Sequence, residues 1–331
     1  MKKHNFYAGP SILSEYTIKN TAAAVENFAG MGLSLLEISH RSKEFVAVND
    51  EARALIKELL DVPAGYEVVF MGGGASMQFC MVPYNLLNKK ASYLDTGTWA
   101  SNAIKEAKLF GEVDVVASSK DKNYTYIPKG YAIADDSDYF HFTSNNTIYG
   151  TEMRKDPDVK QRLVCDMSSD IFSRPIDISK YDIIYAGAQK NMGIAGLGVA
   201  IIREDLLQDV AKTTPVLLDY KLMIKNDSMY NTPPAYAIYV LGLVLEWIDS
   251  LGGLEVMKER ILKINPNAKI NTYMADEVEN GEESIIDSTF SYIIDAVDTV
   301  STKLKLIERA SKLNVPIISA MGAGNKLDPT R

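Results

Sequence analysis

Apolar residues recur along the chain in two alternating rhythms. EARALIKELLDV (51–62) carries them at helical spacing, whereas YEVVFMGGG (66–74) is an almost unbroken apolar run ending in three glycines, as in a buried strand entering a turn. ASMQFCMVPYNLL reads as the helix that follows. The alternation continues with ASYLDTG as strand, WASNAIKEAKLFG as helix, and VDVVAS, DYFHFTSNN, RLVCDMSS, DIIYAGAQK and GVAIIRE as further strands. Such a rhythm predicts an α/β protein, a mainly parallel sheet with helices on both faces. The most apolar segment, YAIYVLGLVLEWI (236–248), falls short of the ~20 residues a membrane helix needs and predicts a buried helix. Beyond the acidic stretch EVENGEESIIDS (277–288), the pattern restarts with FSYIIDAV as strand, STKLKLIERASKL as helix and VPIISAM as strand, a compact βαβ unit.

Composition narrows the class of partner. The 331 residues, 47% hydrophobic and 24% charged, suit a soluble protein with room for two domains. A formal charge of −8 without any Lys/Arg-rich run argues against nucleic acid. No signal-peptide or membrane-spanning pattern is seen, so the expected location is the cytoplasm, with no membrane partner. Cys80 and Cys165 lie in apolar surroundings and read as reduced core residues. No metal site is expected.

In open α/β sheets ligands sit beyond the carboxyl ends of the strands, so the residues that close strands are the first candidates. RLVCD ends in Asp166, IIYAGAQK in Gln189 and Lys190, VVFMGGGAS in a glycine turn, and YLDTGTW in Trp99. Together these are the parts of a pyridoxal phosphate site. Lysine forms a Schiff base with the cofactor aldehyde, and the small residues of YAGAQKNMGIAG (185–196) leave room for a ring beside a poorly solvated amine. A carboxylate keeps the pyridine nitrogen protonated, and an aromatic stacks on the ring. Glycines followed by Ala75 and Ser76 at a helix start offer N–H groups, the helix dipole and a hydroxyl to a phosphate.

Each part also has a plainer reading: a solvated lysine, Asp166 as a helix cap, glycines serving a turn, a tryptophan in the core. His40 and Arg41 in LEISHRSKEF form a candidate carboxylate site, because arginine grips carboxylates as a bidentate fork, against a surface pair of Arg41 with Glu44. His4 and His141 are assigned no role. Asn231 and Thr232, ahead of two prolines, read by themselves as a rigid turn into a helix.

The stretches FYAGPSILS, EISHRSKEF, FMGGGASMQF, DTGTWASNAIKEAK, CDMSSDIFSRPIDISKYDIIYAGAQKNMGIAG, SMYNTPPAYAIYVLGLVLEWI and LGGLEVMKER, in this order, resemble the phosphoserine aminotransferase family. These are class-V, fold-type I pyridoxal phosphate enzymes. The resemblance runs from about residue 4 to about 258. It implies that Lys190 binds the cofactor aldehyde and moves the proton of the 1,3-shift, that Asp166 pairs with the pyridinium nitrogen, and that Trp99 stacks on the ring. Ala75, Ser76, Thr147 and Gln189 complete the pocket. Asn231 and Thr232 reach the cofactor phosphate of the neighbouring subunit in a homodimer, and Arg41, beside His40, binds the substrate carboxylate. The implied reaction moves the amino group of L-glutamate to 3-phosphohydroxypyruvate, giving O-phospho-L-serine and 2-oxoglutarate for serine and pyridoxine biosynthesis.

The family continues into a small C-terminal domain with an HR…GG.RAS.YN signature, which this sequence lacks after residue 258. VMKERILKINPNAKINTY, YIIDAVDTVSTKLKLIERASKLNVPIIS and AMGAGNKLDPTR instead resemble part of a ThiF-type adenylating enzyme, tRNA threonylcarbamoyladenosine dehydratase, without its ATP-binding glycine loop. The chain thus reads as chimeric, an aminotransferase large domain over 1–258 and an incomplete Rossmann-like βαβ fragment over 259–331. A catalytically impaired product that still binds pyridoxal phosphate is the alternative to an active transaminase.

Overall fold

The computed structural model describes residues 9–153, 155–207, 215–263, 289–295 and 300–319. A seven-stranded sheet in the order β1-β9-β8-β7-β4-β2-β3 forms its centre. The strands are β1 (Tyr66–Gly72), β2 (Lys90–Asp95), β3 (Glu112–Ser118), β4 (Phe140–Thr143), β7 (Leu163–Asp166), β8 (Ile183–Gly187) and β9 (Leu197–Arg203). The pairings from β3 through β2, β4 and β7 to β8 are parallel, while β9 runs antiparallel to both β8 and β1.

Side-chain alternation along the strands feeds two cores, one on each face. Val68, Phe70, Ile184 and Ala186 face a core completed by α2 (Lys43–Leu59) and α6 (Ala235–Ser250), which contribute Phe45, Ile56, Ile238 and Leu241. Val69, Met71, Ile183 and Tyr185 face the other, completed by α3 (Gly74–Leu86), α4 (Thr98–Ala107) and α5 (Tyr220–Lys225) through Phe79, Val82, Ile104 and Tyr220. Helix α1 (Glu15–Glu26) packs beside α6, its first turn capped by Ser14 Oγ, which accepts from the Thr17 amide at 3.0 Å. The helix predicted at 236–248 is α6, apolar nearly all round because α1 and α2 both cover it. Among the described residues no single helix is long and apolar enough to cross a membrane. Helix α7 (Gly253–Lys263) follows, with Leu254 and Met257 against the first core.

Two expectations need correction. Cys165 is buried, but Cys80 is only half-buried. Helix α3 turns Phe79, Val82 and Leu86 to the sheet, which leaves Met77 and Cys80 on its outer side, the thiol donating to the Met77 carbonyl at 3.1 Å. The segment DYFHFTSNN is not one strand. β4 stops at Thr143: the Ser144 amide makes the last bond of the β4–β7 ladder, to the Asp166 carbonyl at 3.0 Å, and Ser144 Oγ donates to the same oxygen at 3.0 Å. The chain then forms a short hairpin, β5 (Asn145–Asn146) with β6 (Thr151–Glu152). Near the other end, β10 (Ile293–Asp295) and β11 (Ile317–Ser319) pair in parallel around α8 (Val300–Lys312), with Leu306, Ala310 and Val315 buried.

His141 is a buried strand residue with an acid-sensitive setting. Its ring stacks on Tyr93 at 4.7 Å, Nε2 lies 2.8 Å from the Tyr185 hydroxyl, and Nδ1 has no partner. Burial lowers its pKa to about 3. Between the unfolded value and that one the unfolded chain takes up a proton that the folded chain refuses, so this contribution is complete above about pH 6.5 and is lost on acidification. Asp170, pushed up to about 6 by burial, works the other way and gains stability as pH falls from about 6 toward 4. His141→Phe isolates the first effect. The stability advantage of wild type over this variant, from urea unfolding, is expected to shrink by about 2 kcal/mol between pH 7 and 5. A difference that stays constant with pH contradicts a neutral buried His141.

Candidate active site

β1, β2, β4, β7 and β8 share one direction, so their carboxyl ends meet along a single edge of the sheet. A cavity of about 580 Å³ opens there. Of the residues singled out in the sequence, Ala75, Ser76, Trp99, Thr147, Asp166, Gln189 and Lys190 all line it. A larger hollow of about 700 Å³, between the 127–135 and 152–161 loops, contains none of them. Convergence of chemistry, rather than size, marks the smaller cavity as the site.

The β8 strand delivers Lys190 through a turn in which the Ala188 amide donates to the Leu197 carbonyl at 2.9 Å. Gln189 folds back over Gly187, where a Cβ would meet its Oε1 at 2.5 Å. From outside, the Ser11 amide donates to the Gln189 carbonyl at 2.8 Å, which brings Gly9 and Pro10 to the cavity wall. Lys190 Nζ donates to Thr147 Oγ1 at 3.3 Å.

Asp166 closes β7 and is 4% exposed. Burial raises its pKa, opposed by hydrogen bonds from Ser168 and by the charge of Lys190. Ser168 donates to Oδ1 through Oγ at 2.6 Å and through its amide at 3.0 Å, and in turn accepts from the Gly187 amide at 3.1 Å. This chain ties the carboxylate to the strand that carries the lysine. The plainer reading of Asp166 as a helix cap does not hold, because no helix begins here; its Oδ1 instead closes a local turn by accepting from the Ser168 amide, and the residue lines the cavity. Ser168 was not singled out in the sequence, although it lies within the stretch CDMSSD; nothing in a lone sequence separates it from Ser169.

The glycine turn after β1 places Gly73 and Gly74 at φ of 88° and 59°, conformations open to glycine at little cost. The Gly73 amide donates to the Gly196 carbonyl, and a Cβ on Gly198 would sit 2.9 Å from the Gly74 carbonyl oxygen. Pressed against β9, the turn starts α3 with no side-chain cap, and the first-turn residues Ala75 and Ser76 line the cavity, where helix-start amides suit an anion. Thr143, opposite Asp166 in the β4–β7 register, lines the same cavity with a buried Oγ1 that has no partner. An anion cradle, an amine, a buried carboxylate and an orphaned hydroxyl on one wall fit pyridoxal phosphate by donor set. Among the described residues no group of His, Cys, Asp or Glu is placed to hold a metal ion.

Four predicted residues lie elsewhere. Asn231 and Thr232 line a separate cavity of about 360 Å³ with Met77 and Met81. His40 and Arg41 precede α2 and do not line the Lys190 cavity; Arg41 is exposed, and His40 Nε2 is buried without a partner. Glu44, the partner considered for Arg41, lies 3.7 Å from Lys43 Nζ instead.

The family profile "Aminotransferase class-V" matches residues 4–311. Phosphoserine aminotransferase of Parabacteroides distasonis is 79% identical over 282 residues, 85% of this chain and 78% of that protein. The solved phosphoserine aminotransferase of Trichomonas vaginalis, bound to pyridoxal phosphate, superposes with a TM-score of 0.76 at 37% identity, covering 79% of each chain. Another solved phosphoserine aminotransferase, studied for radiation damage of its Schiff base, covers 98% of this chain and 91% of its own at a TM-score of 0.80 and 35% identity. The chain is a pyridoxal phosphate-dependent transaminase and belongs to the phosphoserine aminotransferase family of the class-V aminotransferases.

Proposed function

We propose that this chain transfers the amino group of L-glutamate to 3-phosphohydroxypyruvate, forming O-phospho-L-serine and 2-oxoglutarate in the cytoplasm for serine and pyridoxine biosynthesis. The observation that carries the reading is the meeting of Lys190, Asp166, Trp99 and the α3 N-terminus around one cavity of about 580 Å³. Pyridoxal phosphate, when bound, supplies an aldehyde to capture the amino group and a ring that accepts electrons. Lys190 is the lysine that lines the cavity, so its Nζ would anchor the aldehyde and would carry the proton taken from the substrate Cα. Thr147 Oγ1 orients that nitrogen. Asp166, locked by Ser168, would pair with the ring nitrogen, and Trp99, on the same cavity, would stack on the ring. The amides at Ala75 and Ser76 hold the phosphate, and Gln189 packs the wall beside Lys190.

Asn231 and Thr232 serve the cofactor phosphate of a second copy in a homodimer, a reading supported by their place on a separate cavity of their own chain, and Arg41, beside His40, binds the substrate carboxylate. The assembled cofactor site favours an active transaminase over an impaired product. The test is turnover with L-glutamate and 3-phosphohydroxypyruvate beside hydroxypyruvate, which lacks the phosphate. A preference for the phosphorylated acceptor of ~10²-fold or more in kcat/KM agrees with the reading, the size expected where a built site loses its charged partner. Equal use of the two acceptors contradicts it.

A division of the chain near residue 258 is part of the same proposal. Leu254 and Met257 of α7 pack on the large core, whereas the buried Leu306, Ala310 and Val315 belong to neither main cluster. The resemblance of 259–331 to a ThiF-type fragment supports a foreign origin for that part, set against a class-V family profile that continues to residue 311. Limited proteolysis that yields a stable core ending near residue 258 agrees; equal resistance of the whole chain contradicts a separate fragment.

A further inference from the structure

The cavity has two walls that come from distant parts of the chain. One is the turn from β2 into α4, which carries Trp99; the other is the β5–β6 hairpin, which carries Thr147, the acceptor of the Lys190 amine. The two are locked together at the residues flanking these side chains. Asn146, beside Thr147, is 1% exposed and donates through Nδ2 to Thr96 Oγ1 at 2.9 Å. Its side chain fills the space that a side chain at position 97 would occupy. A Cβ built on Gly97 would lie 2.7 Å from Asn146 Cγ and 3.1 Å from its Cβ. One step on, the Tyr149 hydroxyl pairs with Thr98 Oγ1 at 3.0 Å, and the Tyr149 ring packs on Tyr124 at 4.8 Å. Tyr124 in turn lies 3.0 Å from Ser101 Oγ on α4. Asn146 Oδ1 is buried with no partner, so the residue is held for its shape and its single donated bond.

The geometry points to Asn146 as a positioning residue, matched to Gly97, that sets the spacing between Trp99 and the Thr147–Lys190 side of the cofactor cavity. Asn146 lies outside the set of residues lining that cavity, so it acts through its neighbours. The inference rests on the cofactor site described above, yet it concerns the spacing of the walls in the protein itself. It can therefore be read with or without cofactor.

Trp99 and Trp247 are the two tryptophans of the sequence, and Trp247 lies half-buried on α6. In a Trp247→Phe background, fluorescence reports Trp99 alone. Asn146→Ala is expected to raise the acrylamide quenching constant of Trp99 about twofold in cofactor-free protein, and to weaken pyridoxal phosphate binding roughly 10-fold, the scale of one well-placed buried contact. Gly97→Ala alone should weaken binding at least as much, because its methyl group strikes Asn146. In the double variant the amide group of Asn146 is gone, while the remaining Cβ at position 146 still lies 3.1 Å from the added methyl and the backbone at Gly97 keeps its φ of 159°, so the combined loss should fall clearly short of the sum of the two single losses. That non-additivity is a signature that general destabilisation does not produce. Additive losses, or Trp99 quenching unchanged by Asn146→Ala, overturn the proposal. Tyr149→Phe, which deletes one hydroxyl, keeps the test open if Asn146→Ala does not fold: raised quenching of Trp99 supports the coupling of the two walls, and unchanged quenching overturns it. Loss of all cofactor binding in the Trp247→Phe parent would instead count against the cofactor site and leave the quenching result to decide the spacing.

Discussion

Lys190→Ala is expected to lower kcat by more than ~10⁴-fold while leaving the protein folded, because one substitution removes both the covalent anchor and the group that moves the proton. The amine contributes little to the fold: Lys190 is half-buried, and its hydrogen bond to Thr147 Oγ1 is long, at 3.3 Å. A thermal midpoint within a few degrees of wild type is therefore the matching structural result. Lys190→Arg should be equally inactive, since guanidinium stays protonated and forms no such bond. Residual turnover within ~10-fold of wild type in either variant is incompatible with the assigned role.

Asp166→Asn separates electrostatics from packing. The amide keeps the volume of the side chain and can still accept from Ser168, but it cannot supply the negative charge that a protonated pyridine nitrogen would need. Its effect should appear as a fall in kcat of about 10³-fold with a much smaller change in the KM for glutamate, the pattern of an interaction that matters mainly in the transition state. Stability of the cofactor-free protein should hold steady or rise. Asp166 is 4% exposed and burial pushes its carboxyl up, so its charge is a cost that only a cationic partner offsets. A variant that loses stability in step with activity would make Asp166 a structural residue instead. Activity in the Asn variant within threefold or so of wild type would remove it from the mechanism.

The order of strands and helices was legible because the central strands are buried on both faces and therefore apolar at nearly every position, as in the IIYAG segment of β8, whereas the edge strand β3 is half-exposed and more polar. The cofactor residues were legible for a related reason: a parallel sheet must gather its carboxyl ends on one edge, so Asp166, Lys190 and Trp99 could be placed together without knowing any contact. What escaped the sequence depends on partners far away along the chain. The end of β4 at Ser144 is set by its pairing with β7, where Ser144 Oγ donates to the Asp166 carbonyl, 22 positions on. Asn146 meets Gly97 only through the fold, so its role has no local signature. The outward turn of Cys80 was likewise decided by which side of α3 met the sheet. Asn231 and Thr232 show the limit from the other side, since their turn was readable but a single chain does not bring them to the lysine.

The central claim is that Lys190 is the residue that takes up pyridoxal phosphate. Incubation of the full chain with the cofactor, reduction with borohydride, and mass analysis of the peptides tests it directly. The predicted result is a single stable phosphopyridoxyl adduct on the peptide containing Lys190, absent from Lys190→Ala. An adduct confined to other lysines, or none in a folded preparation, contradicts it.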